Sequence, residues 1–305
     1  ASCLVGSEMC IETDGSTIIN IEGGTITAEG GGKENGSCQA SGAGIGSGGN
    51  ALNKTTINIK GGEITATGGV SLDSRNHSDK WLSGAGIGSG QYRGSAEVSD
   101  GEKVSCGTGK IVISGGKIEA VGGPGGYHGA GIGTGFTSSY TGTSNFVDTD
   151  ITITGDAEVT AKASGDNAIG GKYANTVITI SGNAKVSAEG SCYSALYDKG
   201  FGIGSGNGNL NLTIKDNAKV AAVGEHGGVG SGQENAKVTV SVSDNASLDA
   251  RCDKLSSDKN YVYGAGIGAK DAKDLSVTVS GSAQVTAKGL SLIHISEPTR
   301  QEAIS

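Results

Sequence analysis

One apolar pattern recurs eight times along the chain. Residues 57–66 read Ile-Asn-Ile-Lys-Gly-Gly-Glu-Ile-Thr-Ala, and residues 111–120 read Ile-Val-Ile-Ser-Gly-Gly-Lys-Ile-Glu-Ala. Aligned on this pattern, the chain yields four columns. The first holds Ile19, Ile57, Ile111, Ile151, Ile178, Leu212, Val240 and Val277. The second holds Ile21, Ile59, Ile113, Ile153, Ile180, Ile214, Val242 and Val279. The third holds Ile26, Ile64, Ile118, Val159, Val186, Val220, Leu248 and Val285. The fourth is alanine throughout, from Ala28, Ala66, Ala120 and Ala161 to Ala188, Ala222, Ala250 and Ala287.

A Gly-rich motif follows each pattern in the first three repeats. It reads Gly-Ala-Gly-Ile-Gly-Ser-Gly at residues 42–48 and 84–90, and Gly-Ala-Gly-Ile-Gly-Thr-Gly at 129–135. It supplies a fifth column: Ile45, Ile87, Ile132, Ile169, Ile203, Val229 and Ile267. Alternation of β-branched residues at period two marks half-buried strands. Spacing in the first column varies from 27 residues (Ile151 to Ile178) to 54 (Ile57 to Ile111). That spread excludes helical solenoids of fixed repeat length. It suits a β-solenoid, whose corner loops absorb insertions. The fold expected is therefore all-β: a right-handed, single-stranded parallel β-helix of about eight coils with three short strands each. Stacked at ~4.8 Å per coil, it makes a rod on the order of 35 Å long.

The alanine column predicts a cross-section too narrow for more than a methyl group. The turn between the first two strands has two versions. Repeats one to three use Gly-Gly, at 23–24, 61–62 and 115–116. Repeats four to eight carry a third residue, always alanine: Ala157, Ala184, Ala218, Ala246 and Ala283. Gly, Asn and Asp suit these corners because they tolerate left-handed backbone, and the extra alanine is expected to point inward.

Gly makes up 57 of 305 residues and Pro only 2. Without a three-residue period this is not collagen, and the regular columns argue against disorder. The formal net charge is −8 with no Lys/Arg block, so nucleic acid is not an expected partner. No apolar run approaches the roughly 20 residues of a membrane span. Residues 1–15 precede the first repeat and begin without Met; they read as the edge of a fragment. Residues 16–289 are the expected solenoid. Residues 290–300, Leu-Ser-Leu-Ile-His-Ile-Ser-Glu-Pro-Thr-Arg, match one reading frame of a transposase-based sequencing adaptor, so residues 290–305 are expected to be foreign. Cys3, Cys10, Cys38, Cys106, Cys192 and Cys252 are too dispersed for a zinc knuckle. They leave open disulfides of an exported protein or isolated thiols.

Few residues suggest chemistry. Gly-Ala-Gly-Ile-Gly looks like part of a phosphate fingerprint, but it recurs without a following helix and its glycines already serve packing. The outward row of the first strand is uncharged: Asn20, Asn58, Val112, Thr152, Thr179, Thr213, Ser241 and Thr278. Its interruptions argue against an ice-binding array. On the second strand, Glu63, Lys117, Glu158, Lys185 and Lys219, with Glu119 beside them, read as a solvated face with cross-strand ion pairs. His77, His128 and His226 do not converge, and His294 lies in the foreign tail. Asp148, Asp150, Asp156, Asp166, Asp216 and Asp244 recur near turns without a calcium-loop spacing and read as turn chemistry. No metal or other cofactor is expected. The aromatics stand apart. Trp81, Tyr127, Tyr193, Tyr197, Tyr261 and Tyr263 lie just before the Gly-rich strand, outside every column. Rings with an apolar face and a polar tip suit stacking on sugars, so these six are the candidate carbohydrate-binding residues; local packing against the solenoid is the competing role.

The pairing of Ile-x-Ile-x-Gly-Gly-x-Ile-x-Ala with Gly-Ala-Gly-Ile-Gly-Ser-Gly resembles repeat modules in secreted and wall-attached proteins of gut Firmicutes, over roughly residues 16–289. Those modules are similar to pectate-lyase-like parallel β-helices without the catalytic residues. The resemblance implies an extracellular or cell-wall location and a polysaccharide or host glycan as partner. It assigns no binding residue. The leading expectation is a non-catalytic adhesin or scaffold segment of a bacterial surface protein. The alternative is a carbohydrate-binding module working through the loop aromatics, and a polysaccharide lyase or hydrolase comes third.

The reading of the tail makes a first prediction. Chain ending at Gly289 keeps its thermal unfolding midpoint within error by circular dichroism. A large drop would show that residues 290–305 pack as a coil.

Overall fold

The computed structural model describes residues 17–32, 41–49, 51, 54–72, 81–93, 108–124, 129–135, 137–138, 148–163, 165–172, 175–191, 200–253, 264–269 and 273–289. Among these every regular element is a β-strand. Three parallel sheets carry the fold. The first stacks eight strands, from Thr17–Ile21 and Thr55–Ile59 through Thr108–Ile113, Thr149–Ile153, Thr176–Ile180, Leu210–Ile214 and Lys237–Val242 to Asp274–Val279. The second stacks eight more, from Thr25–Glu29 and Glu63–Thr67 to Ser247–Cys252 and Gln284–Lys288. The third has seven, from Ile45–Gly46 to Ala265–Ala269. Neighbours in each sheet are successive turns of the chain. This is a right-handed parallel β-helix, as the columns predict.

The register is that of the sequence columns. Ile19, Ile57 and Ile111 pair in line, as do Ile111, Ile151, Ile178, Leu212, Val240 and Val277. The alanines pair from Ala28 to Ala287 in the second sheet. Within the stack the isoleucines are sealed: Ile57, Ile111, Ile113, Ile153 and Ile178 have no exposed surface. Among the described residues the end coils are less covered, because each has a described neighbour on one side only. Val277 and Val279 are 43% and 48% exposed.

Close approach of two backbones explains the alanine column. A Cβ added to Gly86 would lie 2.6 Å from the nitrogen of Val121. Gly131, Gly202, Gly228 and Gly266 would meet the nitrogens of Lys162, Val223, Arg251 and Lys288 at 2.7, 2.5, 2.4 and 2.5 Å. Each of those nitrogens belongs to the residue after a column alanine. The third sheet thus runs hard against the second where the alanine methyls point inward. Coil four departs, with Ala168 at this position.

The glycine after the fifth-column residue controls strand length. Gly46, Gly88, Gly133 and Gly170 have φ of 142°, 139°, 137° and 143°. Such φ interrupts a strand, and in these four coils the third-sheet strand has only two or three residues. In coils five to seven the equivalent Gly204, Gly230 and Gly268 are not in that region, and the strand extends to five residues.

The two turn types place the left-handed residue differently. In the Gly-Gly turns it is the second glycine: Gly24, Gly62 and Gly116. In the longer turns it is the first residue: Gly155, Gly182, Asp216, Asp244 and Gly281. The extra alanine turns inward, and Ala157, Ala184, Ala218 and Ala246 are fully buried.

The segments between strands hold more order than loops predict. Val70–Leu72 and Trp81–Ser83 form an antiparallel pair between the second-sheet strand and the Gly-rich strand of coil two. Tyr92–Arg93 stacks in parallel on Thr137–Ser138.

The glycines are not interchangeable. A Cβ at Gly133 would fall 1.9 Å from the carbonyl oxygen of Gly170, whereas Gly48 faces open space. In urea unfolding Gly133→Ala is expected to cost about 1–3 kcal/mol, the range of overpacked sites. Gly48→Ala should stay within about 0.5 kcal/mol, and Ile153→Ala should cost about 2–5 kcal/mol.

Candidate functional site

The outer face of the second sheet carries a shallow groove of about 430 Å³. Thr160, Ser187 and Ala221 line it, together with Lys117, Glu158, Lys185, Lys219 and Ser247. The strands place these charges one above another, so opposite signs pair along the axis. Lys185 Nζ lies 2.6 Å from Glu158 Oε1, and Lys117 Nζ 3.7 Å from Glu63 Oε1. The hydrogen bond from Lys185 holds the Glu158 carboxyl below its ordinary range, and the same bond raises the Lys185 ammonium. Both are exposed, so the pair adds little stability. A carboxylate kept ionised in this way is poorly suited to donate a proton. Glu119 stands opposite Thr65 and Thr160, not another acid. Lys219 has Lys185 and Ser247 as its register neighbours.

The turn edge is organised in the same direction. Asn183 Nδ2 donates to Asp156 Oδ1 at 2.9 Å, Asn217 to Asn183 at 3.1 Å, and Asn245 to Asn217 at 3.2 Å. Asp216 Oδ2 accepts from the Gly182 N–H, and Asp244 Oδ2 from the Asp216 N–H. That backbone bond lowers the Asp244 carboxyl below its usual value, with help from the Ser243 hydroxyl. These carboxylates belong to the turns, as expected. Among the described residues no three His, Cys, Asp or Glu side chains group as a metal site, and no helix is long and apolar enough to cross a membrane.

The hydroxyl of the Gly-rich motif also works between coils. Ser47 Oγ accepts from the Gly90 N–H, Ser89 Oγ from the Gly135 N–H, and Thr134 Oγ1 from the Lys172 N–H. The motif that looked like a phosphate cradle uses its hydroxyl to hold the next coil.

Asp166 departs from the turn role read for it. Aligned through Ile132 and Ile169, Asp166 and Lys172 occupy the places of Gly129 and Gly135. Those places lie close together: a Cβ on the equivalent Gly42 would sit 3.8 Å from the Gly48 Cα. Asp166 is 3% exposed and Lys172 5%. Asp166 Oδ1 accepts from the Asn167 N–H at 2.8 Å, while Oδ2 has no hydrogen-bond partner. Burial raises its carboxyl to about 6, opposed by the charge of Lys172 and the Asn167 bond. One coil on, Phe201 takes the place of Asn167, and its N–H donates to Asn167 Oδ1 at 3.2 Å. The Phe201 ring fills space left by Gly227 and Gly230 and lies 6.5 Å from the buried His226 ring. The break in the Gly-x-Gly pattern at 166 and 172 is the sequence signal for this cluster.

Of the six aromatics proposed from sequence, Trp81 opens the strand Trp81–Ser83. Tyr127, Tyr193, Tyr197, Tyr261 and Tyr263 lie outside the described residues. Cys252 is buried, its thiol 3.3 Å from the Glu225 carbonyl oxygen; the other five cysteines, His77, His128 and His294 lie outside the described residues. Sequence reasoning passed over Gln91, which is fully buried and accepts hydrogen bonds from Ser41 and Ser71.

The beta helix repeat family matches the chain over residues 19–49, 57–91, 111–136 and 178–207. Each stretch begins within a first-sheet strand and runs just past the Gly-rich strand. The chain is similar to that family over these stretches, and its geometry is that of a parallel β-helix. Neither a curated protein nor a solved structure matches it.

The buried acid sets a pH dependence. The folded-state value near 6 lies above the ordinary aspartate value of 3.8, so the folded chain holds this proton more tightly. That contribution is complete below about pH 4 and is lost as pH rises through about 6. It amounts to about 3 kcal/mol. Asp166→Asn is expected to raise the unfolding midpoint at pH 7.5 and to flatten its change between pH 4 and 7. An unchanged profile would remove Asp166 as its source.

Proposed function

We propose that the chain is a non-catalytic β-helical segment of a bacterial cell-surface protein, acting as a rigid scaffold or adhesin rod that presents its loops. What supports this is the direction of the outward polar groups. Asn20 with Asn58, Glu63 with Lys117, Glu158 with Lys185, and the series from Asp156 to Asn245 each bond to the next coil along the axis. Groups committed to inter-coil bonds stiffen the rod and do not converge on a reacting atom. The location outside the cell rests on the resemblance to secreted and wall-attached modules.

A carbohydrate-binding role is the second reading. The observation that favours it is the antiparallel pair of Val70–Leu72 and Trp81–Ser83, which sets Trp81 in a strand just before the Gly-rich strand. An extended glycan lying along neighbouring loops would gain a modest contact from each ring, so binding would be weak and dependent on avidity.

Both readings are tested together on insoluble cell-wall polysaccharides and a glycan array. The scaffold reading expects no release of reducing or unsaturated sugar during incubation, and measurable release would discard it. The binding reading expects retention that falls on Trp81→Ala and Tyr127→Ala. Retention indifferent to both changes would discard the aromatic strip.

A further inference from the structure

We propose that Gln91 clamps the Trp81 hairpin to the solenoid. The hairpin consists of three registered pairs, Val70 with Ser83, Ser71 with Leu82 and Leu72 with Trp81. A two-stranded hairpin of this size has marginal stability in water, so its direction depends on what holds its root. Ser71 sits in the hairpin strand and is fully buried. Its hydroxyl donates to Gln91 Oε1 at 2.7 Å. The same oxygen accepts from the N–H and the hydroxyl of Ser41, each at 3.2 Å. The Gln91 N–H donates in turn to the Ser41 carbonyl at 2.7 Å. One buried amide oxygen therefore joins three segments: the approach to the Gly-rich strand of coil one, the exit of that strand in coil two, and the hairpin between.

The oxygen receives three donors in a dry setting, where each bond counts for more than in water. Removing it takes this acceptor from the Ser71 hydroxyl and from the N–H and hydroxyl of Ser41, which is costly in a buried setting. The hairpin then keeps its backbone pairing but loses its fixed seat. In the carbohydrate-binding reading, on which the purpose of the clamp rests, Gln91 holds the Trp81 strand at a set angle to a glycan.

The chain has a single tryptophan, so its fluorescence reports on this hairpin alone. Acrylamide quenching and steady-state anisotropy are measured for the full chain and for Ser71→Ala and Gln91→Leu, with Ser187→Ala on the second sheet as control. Ser71→Ala leaves the bonds between Gln91 and Ser41 in place, so the solenoid folds even where Gln91→Leu does not. Quenching of Trp81 is expected to rise about two-fold or more in both variants, as for a locally released segment, with lower anisotropy and an unchanged far-ultraviolet circular dichroism spectrum. Unchanged quenching in Ser71→Ala and Gln91→Leu overturns the clamp. If quenching rises while the wild-type chain is retained on no polysaccharide, the clamp stands and the glycan reading fails.

Discussion

The structure depends on the stacking of each residue over its equivalent in the next coil. Parallel pairing fixes that register, and a shift of one position would turn every inward side chain out. Ile57 over Ile111 and Ala66 over Ala120 are the visible result. Burial then follows without a conventional two-layer core, because the three sheets enclose one another. The pinch between the second and third sheets sets the narrowest dimension. It makes alanine the largest residue the fourth column admits, and it makes Gly86, Gly131 and their equivalents close backbone contacts.

The same register governs the surface. A side chain pointing outward finds its nearest neighbour directly above or below, so polar groups pair along the axis. Glu and Lys alternate across Glu63, Lys117, Glu158 and Lys185, and asparagines pass hydrogen bonds from turn to turn. The Ser and Thr of the Gly-rich motif bond to the following coil as well. This leaves little of the described surface with groups aimed at a common point. The sites of interest are where the repeat is broken: the acid and amine at Asp166 and Lys172, the ring of Phe201, and the hairpin rooted at Gln91.

The breaks follow one physical rule. A repeat position tolerates a new side chain only if a neighbouring coil gives up volume or offers a partner. Phe201 fits because Gly227 and Gly230 lie beneath its ring. Asn167 fits because its oxygen takes the Phe201 N–H and its amide donates to the Gly171 carbonyl. Asp166 is only half provided for, with one oxygen bonded and the other not, and its raised protonation midpoint is the consequence.

Periodicity alone determined the fold class, the five columns, the turn positions and the inward alanines, since a β-solenoid writes the same local demand into every coil and the demand repeats visibly. It also marked the charged row of the second sheet as ion pairs, because opposite signs alternate at one column position. Only the tertiary structure decided what the exceptions do. Asp166 reads as a turn acid from its neighbours in sequence, and becomes a buried acid only when Gly129 and Gly200 are stacked on either side of it. Gln91 carries no pattern at all; its partners Ser41 and Ser71 are 50 and 20 residues away. Contacts between coils separated by loops of unequal length leave no period in the chain, so proximity of that kind is settled by packing and not by sequence spacing.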